Sequence, residues 1–184
     1  MNKSLINNIE GKNILLVPFT EKYVTADYLR WMNDAETTRF VLKAQGNITI
    51  DSLLLFAKTM IKSDSDYFFA VLLKDGLRHV GNVRLGPIDF ELKESKFGIM
   101  IGENDLRGCG VGTETVELIK SFCFDKLNLD RLHFPVPKLC EPAMRMYKTT
   151  GFTCLGEMET VLEKNGHLFT LVEWSMDNPK RTRV

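Results

Sequence analysis

"DLRGCGVGTE", Asp105 to Glu114, sets glycines at positions 108, 110 and 112 directly before a segment of helical spacing. Glycine is a poor helix former because fixing its backbone costs more entropy than for any other residue. Three on alternate positions therefore need a reason. One is a tight strand-to-helix turn. The other is a cradle: unpaired amides at a helix N-terminus, unobstructed by side chains, converge on an anion that the helix dipole also favours. Arg107 adds a charge to such a cradle. A nucleotide P-loop would need Gly-Lys followed by Ser or Thr, and no lysine follows here. The dinucleotide fingerprint G-x-G-x-x-G would need a last glycine where Thr113 stands. The spacing that fits is R-x-x-G-x-G, from Arg107 through Gly110 to Gly112.

The segments around the loop alternate between the two periodicities. Before it, "YFFAVLLKDG", "RHVGNVRLGPIDF" and "SKFGIMIGE" read as three strands, the first two joined at "KDGLR". Upstream, "NILLVPF" (Asn13 to Phe19) reads as a strand. "TEKYVTADYLRWMND" has helical spacing, with Tyr23, Tyr28, Trp31 and Met32 on one side. "TIDSLLLFAKTMIKSD" (Thr49 to Asp64) reads as a second helix with Leu53, Phe56, Met60 and Ile61 as its stripe. After the loop, "TETVELIKSFCFDKLN" is a helix that buries Val116, Ile119, Phe122 or Cys123, and Leu127. "RLHFPV" is a short strand, and "EPAMRMYKTTG" a short helix opened by Pro142 and capped by Gly151. Two last strands meet at "KNGH", an Asn-Gly hairpin signal. Runs of adjacent strands with few helices predict an α+β fold with a mixed, mostly antiparallel sheet flanked by helices. One domain is expected over residues 1–178, with a disordered basic tail at 179–184.

Composition narrows the function classes. The 184 residues are 44% hydrophobic and 26% charged, enough for a core without disulfides. Lys plus Arg and Asp plus Glu balance at 24 each, so no global field recruits nucleic acid or an anionic membrane. Cys109, Cys123, Cys140 and Cys154, like His79, His133 and His167, are too widely spaced to announce a metal site. Free cysteines and an N-terminus without an apolar secretory core lead to an expectation of a cytoplasmic protein.

Loop, strand order and the later "MYKTTGF" together resemble the GNAT superfamily of acyl-CoA-dependent N-acetyltransferases over nearly the whole chain. "WMNDAETTRF" looks like its RimJ/RimL-like branch. The resemblance implies acetyl transfer from acetyl-CoA to a primary amine by direct attack through a tetrahedral intermediate. Arg107, Gly108, Cys109, Gly110, Val111, Gly112 and Thr113 would then hold the coenzyme A pyrophosphate. Ile99, Met100 and Ile101 would run beside the pantetheine arm, with the acetyl carbonyl near the backbone of Met100 or Ile101. Tyr147 matches the tyrosine that protonates the departing thiolate, although its ring could equally pack under Phe152. Where the family carries a pantetheine-binding asparagine, seven residues before this tyrosine, the chain has Cys140, which cannot replace an amide's hydrogen bonds. Two prolines also interrupt "FPVPKL", where the family has an ordinary extended run.

The acceptor side is less specified. Freeing a lysine-like amine of its proton at pH 7 costs about 4.6 kcal/mol, an α-amine about a third of that. Glu103, at the end of the central strand, is the candidate base. Asp34, Glu36 and Asp89 lie on segments that border the acceptor cleft in relatives. Trp31 and Arg84 are further substrate-binding candidates, and Arg84, with Asn82 on the strand beside the centre, faces either the cleft or the core. The reading leans to a small amine, an amino sugar first and a nucleotide-linked one among these, on account of Arg30, Trp31, Arg39, Phe40 and Arg84. A protein N-terminus and a polyamine stand as alternatives, and a non-catalytic acyl-CoA sensor as another class. No metal is expected, and the chain is expected to be a monomer or a homodimer.

Overall fold

The computed structural model describes residues 7–41, 47–164 and 167–181. Its strands are β1 (Ile9–Glu10), β2 (Ile14–Pro18), β3 (Tyr67–Leu73), β4 (His79–Asp89), β5 (Glu94–Ile101), β6 (Arg131–Pro137), β7 (Thr153–Lys164) and β8 (His167–Asp177). Its helices are α1 (Ala26–Asn33), α2 (Ala35–Thr38), α3 (Ile50–Lys62), α4 (Val111–Ser121) and α5 (Glu141–Thr149). The strands form one sheet in the order β1-β2-β3-β4-β5-β6-β8-β7, antiparallel except between β5 and β6. This is the mixed α+β architecture expected from the sequence.

Two cores lie on opposite faces of the sheet. On one, α4 and α5 cover Tyr67, Phe69, Val71, Val83, Leu85 and Phe97. On the other, α1 and α3 cover Phe68, Ala70 and Leu72. Period-2 alternation along β3 divides these side chains between the faces. β3 is buried on both sides, which is why "YFFAVLL" reads as a continuous apolar run rather than an alternating one.

Three local details differ from the sequence reading. The first helical segment is divided: Thr25, extended, accepts from the Tyr28 amide, so α1 starts only at Ala26. In α3 the fully buried positions are Leu53 and Ala57; Phe56 is 36% exposed, with its ring edge-on to Phe68 at 5.5 Å, and Ile61 is 43% exposed. Periodicity thus missed Ala57, which is buried beside Leu53 on the same side of the helix. Third, α4 ends in a wider π-type turn, Phe122–Lys126, in which the Leu127 amide reaches back to the Phe122 carbonyl. The extra residue rotates both Phe122 and Cys123 inward, so the choice between them disappears.

At the C-terminus Lys180 pairs with Asp125, and Arg181 with Asp130 and the Asn128 side chain. Residues 179–181 of the expected tail are thus held against the α4–β6 connection. The Asn165-Gly166 hairpin tip and residues 182–184 lie outside the described residues.

Candidate active site

The feature that organises the site is the parting of β5 from β6. Only Glu94 with Arg131 and Ser95 with Leu132 are in register; beyond them the strands separate, and β5 runs on to Ile101 beside an open wedge. The Gly102 amide donates to the Val80 carbonyl at 2.9 Å. By antiparallel alternation the main-chain groups of Met100 and Gly98 face β4 as well. Those of Ile99 and Ile101 therefore point into the wedge, where no strand among the described residues partners them. Met100 differs from its neighbours: its backbone belongs to the β4 ladder and its side chain packs with the α1/α3 core.

The opposite wall explains the two prolines. The Lys138 amide donates to the Thr170 carbonyl at 2.8 Å, so alternate positions along β6 bond to β8. Pro135 and Pro137 turn their nitrogen toward the wedge, where a strand amide would have no ladder partner to lose. The wedge thus takes hydrogen-bond donors from β5, while β6 offers it the Pro135 carbonyl; the Pro137 carbonyl accepts from the Cys140 amide at 2.8 Å.

Directly after β5 the chain reaches the glycine loop. Gly108 and Gly110 have φ of 76° and 84°, in the left-handed region that favours glycine, and Gly110 is the N-cap of α4. A Cβ added at either would meet nothing within 4 Å. The glycines therefore serve backbone conformation and leave the space in front of the loop free. Gly112 packs toward α5, where a Cβ would come within 3.2 Å of Met146 Sδ. Cys109 and Thr113 are exposed and Val111 is buried in the core. The loop's amides, its helix N-terminus and this open space fit an extended anion such as a pyrophosphate. Arg107 forms an ion pair with Glu36 of α2.

On the α1 side of the wedge, Glu103 is held twice. Trp31 Nε1 and Arg30 Nη2 both donate to its Oε1 at 2.8 Å, and Arg30 also bonds Asp27 at 3.0 Å. Trp31 is fully buried, and a Cβ on Gly102 would lie 2.0 Å from its ring. The Trp31 ring therefore needs glycine at 102 to sit where it does. His79 stacks edge-on against Trp31 with ring centroids 5.0 Å apart, and Tyr23 lies 5.1 Å away. Burial lowers the His79 pKa, against the hydrogen bonds of its Nε2 to Asn82 Oδ1 and the Gly81 carbonyl. His79 was not among the sequence candidates; a lone histidine gives no sequence signal until its aromatic neighbours are known.

The remaining candidates divide. Asp34 caps α2 by accepting from the Thr37 amide at 2.6 Å. Its hydrogen bonds to Thr37 come first, with Arg107 and Arg30 behind them, in holding its carboxyl below the ordinary range. Arg84 shares the sheet face of α1 but is tied to the buried Asp66 carboxylate at 2.6 Å. Asp89 is not brought to the wedge. It accepts from the Glu91 and Leu92 amides in the β4–β5 turn, at the closed end of β5, roughly 20 Å of strand away from Ile101. A shallow concavity lined by Glu94, Arg131, His133 and Glu173 lies at that closed end too, away from the glycine loop.

Tyr147, on α5, is buried in an aromatic cluster, with ring centroids 4.6 Å from Phe134, 5.8 Å from Phe152 and 6.1 Å from Trp174. Burial, and then the neighbouring Cys140, push its pKa well above the usual phenol range. Cys140 itself is the N-cap of α5, partly buried, and its thiol is raised by burial although the Ala143 amide pulls the other way. Among the described residues no cluster of His, Cys, Asp and Glu is placed to hold a metal, and no helix is long and apolar enough to cross a membrane.

Comparison with known proteins gives this geometry a lineage. Residues 13–153 match the acetyltransferase (GNAT) domain family. The human alpha/beta-tubulin-N-acetyltransferase 9 is 29% identical over 153 residues, covering 77% of this chain and 73% of that protein. Among solved structures, the spermidine N-acetyltransferase of Vibrio cholerae, in complex with CoA and spermine, superposes with a TM-score of 0.83 at 17% identity. That match covers 92% of this chain and 98% of the other. RimL, a ribosomal L7/L12 alpha-N-protein acetyltransferase in complex with coenzyme A, reaches 0.83 at 13% identity, over 93% and 98% of the two chains. A strand that parts from its neighbour beside a glycine cradle, within a domain matched over residues 13–153, makes the chain a member of the GNAT acetyltransferase family and an acyl-CoA-dependent N-acetyltransferase.

Proposed function

We propose that the chain acetylates a primary amine bearing a further positive charge, as a polyamine does, with acetyl-CoA as donor. The observation that carries this reading is the wedge beside the glycine loop, with donors from Ile99 and Ile101 on one wall and open space before Gly108 and Gly110. In this reading the amides of Gly108 and of Gly110 to Thr113, with the Arg107 side chain, hold the pyrophosphate, while the Cys109 amide stays on the Leu106 carbonyl. The Ile99 and Ile101 amides take the pantetheine arm and the acetyl carbonyl, and the latter stabilises charge that develops on oxygen. Tyr147, held protonated by its burial, returns a proton to the leaving thiolate. Glu103, with one oxygen occupied by Trp31 and Arg30, offers the other to the incoming amine.

The acceptor class follows from which side chains are already engaged. A nucleotide-linked amino sugar would call on Arg30, Trp31, Arg39, Phe40 and Arg84, of which Arg39 and Phe40 lie against each other at 5.0 Å and keep this reading as an alternative. Arg30 is bonded to Asp27 and Glu103, Arg84 to Asp66, and Trp31 is fully buried. Around the mouth stand the carboxylates of Asp27, Asp34, Glu36, Glu103 and Asp105, facing the arginines at 30, 78 and 107. That excess of negative charge suits a cationic amine. A protein α-amine is the second reading, favoured by the relation to the tubulin acetyltransferase. On the strength of "WMNDAETTRF" we also group the chain with the RimJ/RimL-like branch.

The test is thiol release from acetyl-CoA with spermidine, a peptide bearing a free α-amine, and glucosamine as acceptors. Turnover with spermidine at a kcat/KM at least tenfold above the other two is expected. Preference for glucosamine would refute the acceptor assignment, and preference for the peptide would move it to the second reading.

A further inference from the structure

The ion pair between Arg107 and Glu36 joins two parts of the site that different substrates use. Arg107 ends the short turn that leads into the glycine loop, while Glu36 lies on α2, beyond the α1 helix that holds Glu103. Asp34, two residues before Glu36, feels both Arg107 and Arg30. Both partners of the pair are substantially exposed, at 40% and 68% of their side-chain surface, so the contact is readily exchanged. Its position makes the exchange consequential. A guanidinium that a carboxylate already neutralises contributes little to a pyrophosphate in the adjoining cradle.

We propose that Glu36 couples the two substrate sites, occupying Arg107 until a diphosphate takes it and then standing free to receive the ammonium of the acceptor. This rests on the assignment of the glycine loop to the coenzyme A pyrophosphate. Before the exchange, Arg107 offsets Glu36 at the mouth. Afterwards Arg107 faces the diphosphate, and Glu36 joins Asp34 and Glu103 as carboxylates flanking the wedge. Asp34 stays fixed as the cap of α2, so Glu36 is the one of the three that changes partner. Linkage makes the effect reciprocal: a cationic amine that engages Glu36 releases Arg107, and coenzyme A then binds more tightly. The coupling involves no hinge or domain movement, only the rotation of two exposed side chains.

The experiment is calorimetric titration of coenzyme A into the full-length protein and its Glu36→Gln variant, each with and without saturating spermidine, with thermal melts to verify folding. The wild-type protein is expected to bind coenzyme A roughly 3- to 10-fold more tightly when spermidine is present. Glu36→Gln is expected to bind it as tightly without spermidine as the wild type does with it, and to show no further gain. Coenzyme A affinity that is unchanged or weaker in a folded Glu36→Gln protein would overturn the coupling while leaving the cradle intact. A folded wild-type protein that binds no coenzyme A at all would instead remove the cradle assignment on which the coupling rests. Raising the salt to 0.5 M should shrink the difference between the two proteins, as expected for exposed charges.

Discussion

Trp31 donates its indole N–H to Glu103 Oε1 at 2.8 Å, across 72 residues of sequence. The bond ties the buried face of α1 to the residue that follows the central strand, and it fixes one carboxylate oxygen, while among the described residues the other has no hydrogen-bond partner. Replacing Glu103 by Gln keeps the shape and removes the charge. It should lower kcat/KM for the amine by roughly 10²-fold while leaving coenzyme A affinity within about twofold. Trp31→Phe, which loses only the N–H and some area, should show a smaller fall in the same parameter. Steady-state kinetics with the amine varied check both. A Glu103→Gln enzyme with unaltered kcat/KM would make Glu103 a structural anchor for Trp31 and Arg30 alone.

Tyr147 carries an aromatic ring that the core needs and a hydroxyl that it does not. Tyr147→Phe should therefore keep stability within about 1 kcal/mol and cost roughly 10²-fold in kcat. Because burial raises its pKa, the phenol stays protonated up to and beyond the ordinary value of about 10. The wild-type pH–rate profile should accordingly show no alkaline fall due to Tyr147 below about pH 10. A descending limb near pH 9 that disappears in Tyr147→Phe would contradict this.

The glycine loop, the strand before it and the helix that carries Tyr147 can be read from the sequence, because they are local features. The glycines at 108, 110 and 112, the strand before them and Tyr147 four residues before Gly151 each carry a signal within a short window. The acceptor side is built from long-range partners, and these are not legible. Arg84 looks available until Asp66, from another strand's approach, is seen to occupy it. Asp89 sits on the strand next to the centre but at its wrong end, a difference that sequence adjacency does not encode. The prolines at 135 and 137 look like faults in a strand until the neighbouring strand is found to have moved away.

His79 supplies a pH dependence of stability whose sign is fixed. Burial among Trp31, Tyr23 and Phe19 lowers its pKa in the folded state relative to the ordinary value of about 6.5. The unfolded chain then binds more protons than the folded one in that window. The contribution to stability is complete above about pH 6.5 and is lost as the pH falls through the folded-state value. Urea midpoints measured between pH 7 and pH 5 should fall in the wild type and fall less in His79→Gln. Equal slopes in the two proteins would exclude His79 as the source.

Cys140 leaves a pantetheine contact unmade if the family's asparagine makes one. Cys140→Asn should lower the KM for acetyl-CoA severalfold with kcat little changed, since the new bonds act alike on ground and transition states. The side chain is partly buried at the start of α5, where asparagine is also a good cap. A KM that rises in a protein of unaltered melting temperature would show that the thiol is better suited to its neighbours than the amide.

In the proposed donor site the loop from Arg107 to Thr113 holds the coenzyme A pyrophosphate. Gly110, at φ 84°, accepts asparagine and aspartate at similar conformational cost, because both tolerate the left-handed region and a Cβ there meets no atom. The two replacements differ in charge alone. Titration calorimetry with coenzyme A should find Gly110→Asn within about tenfold of the wild type and Gly110→Asp at least 100-fold weaker, as a carboxylate in the cradle repels a diphosphate. Equal coenzyme A affinities for the folded Asn and Asp variants would contradict the assignment.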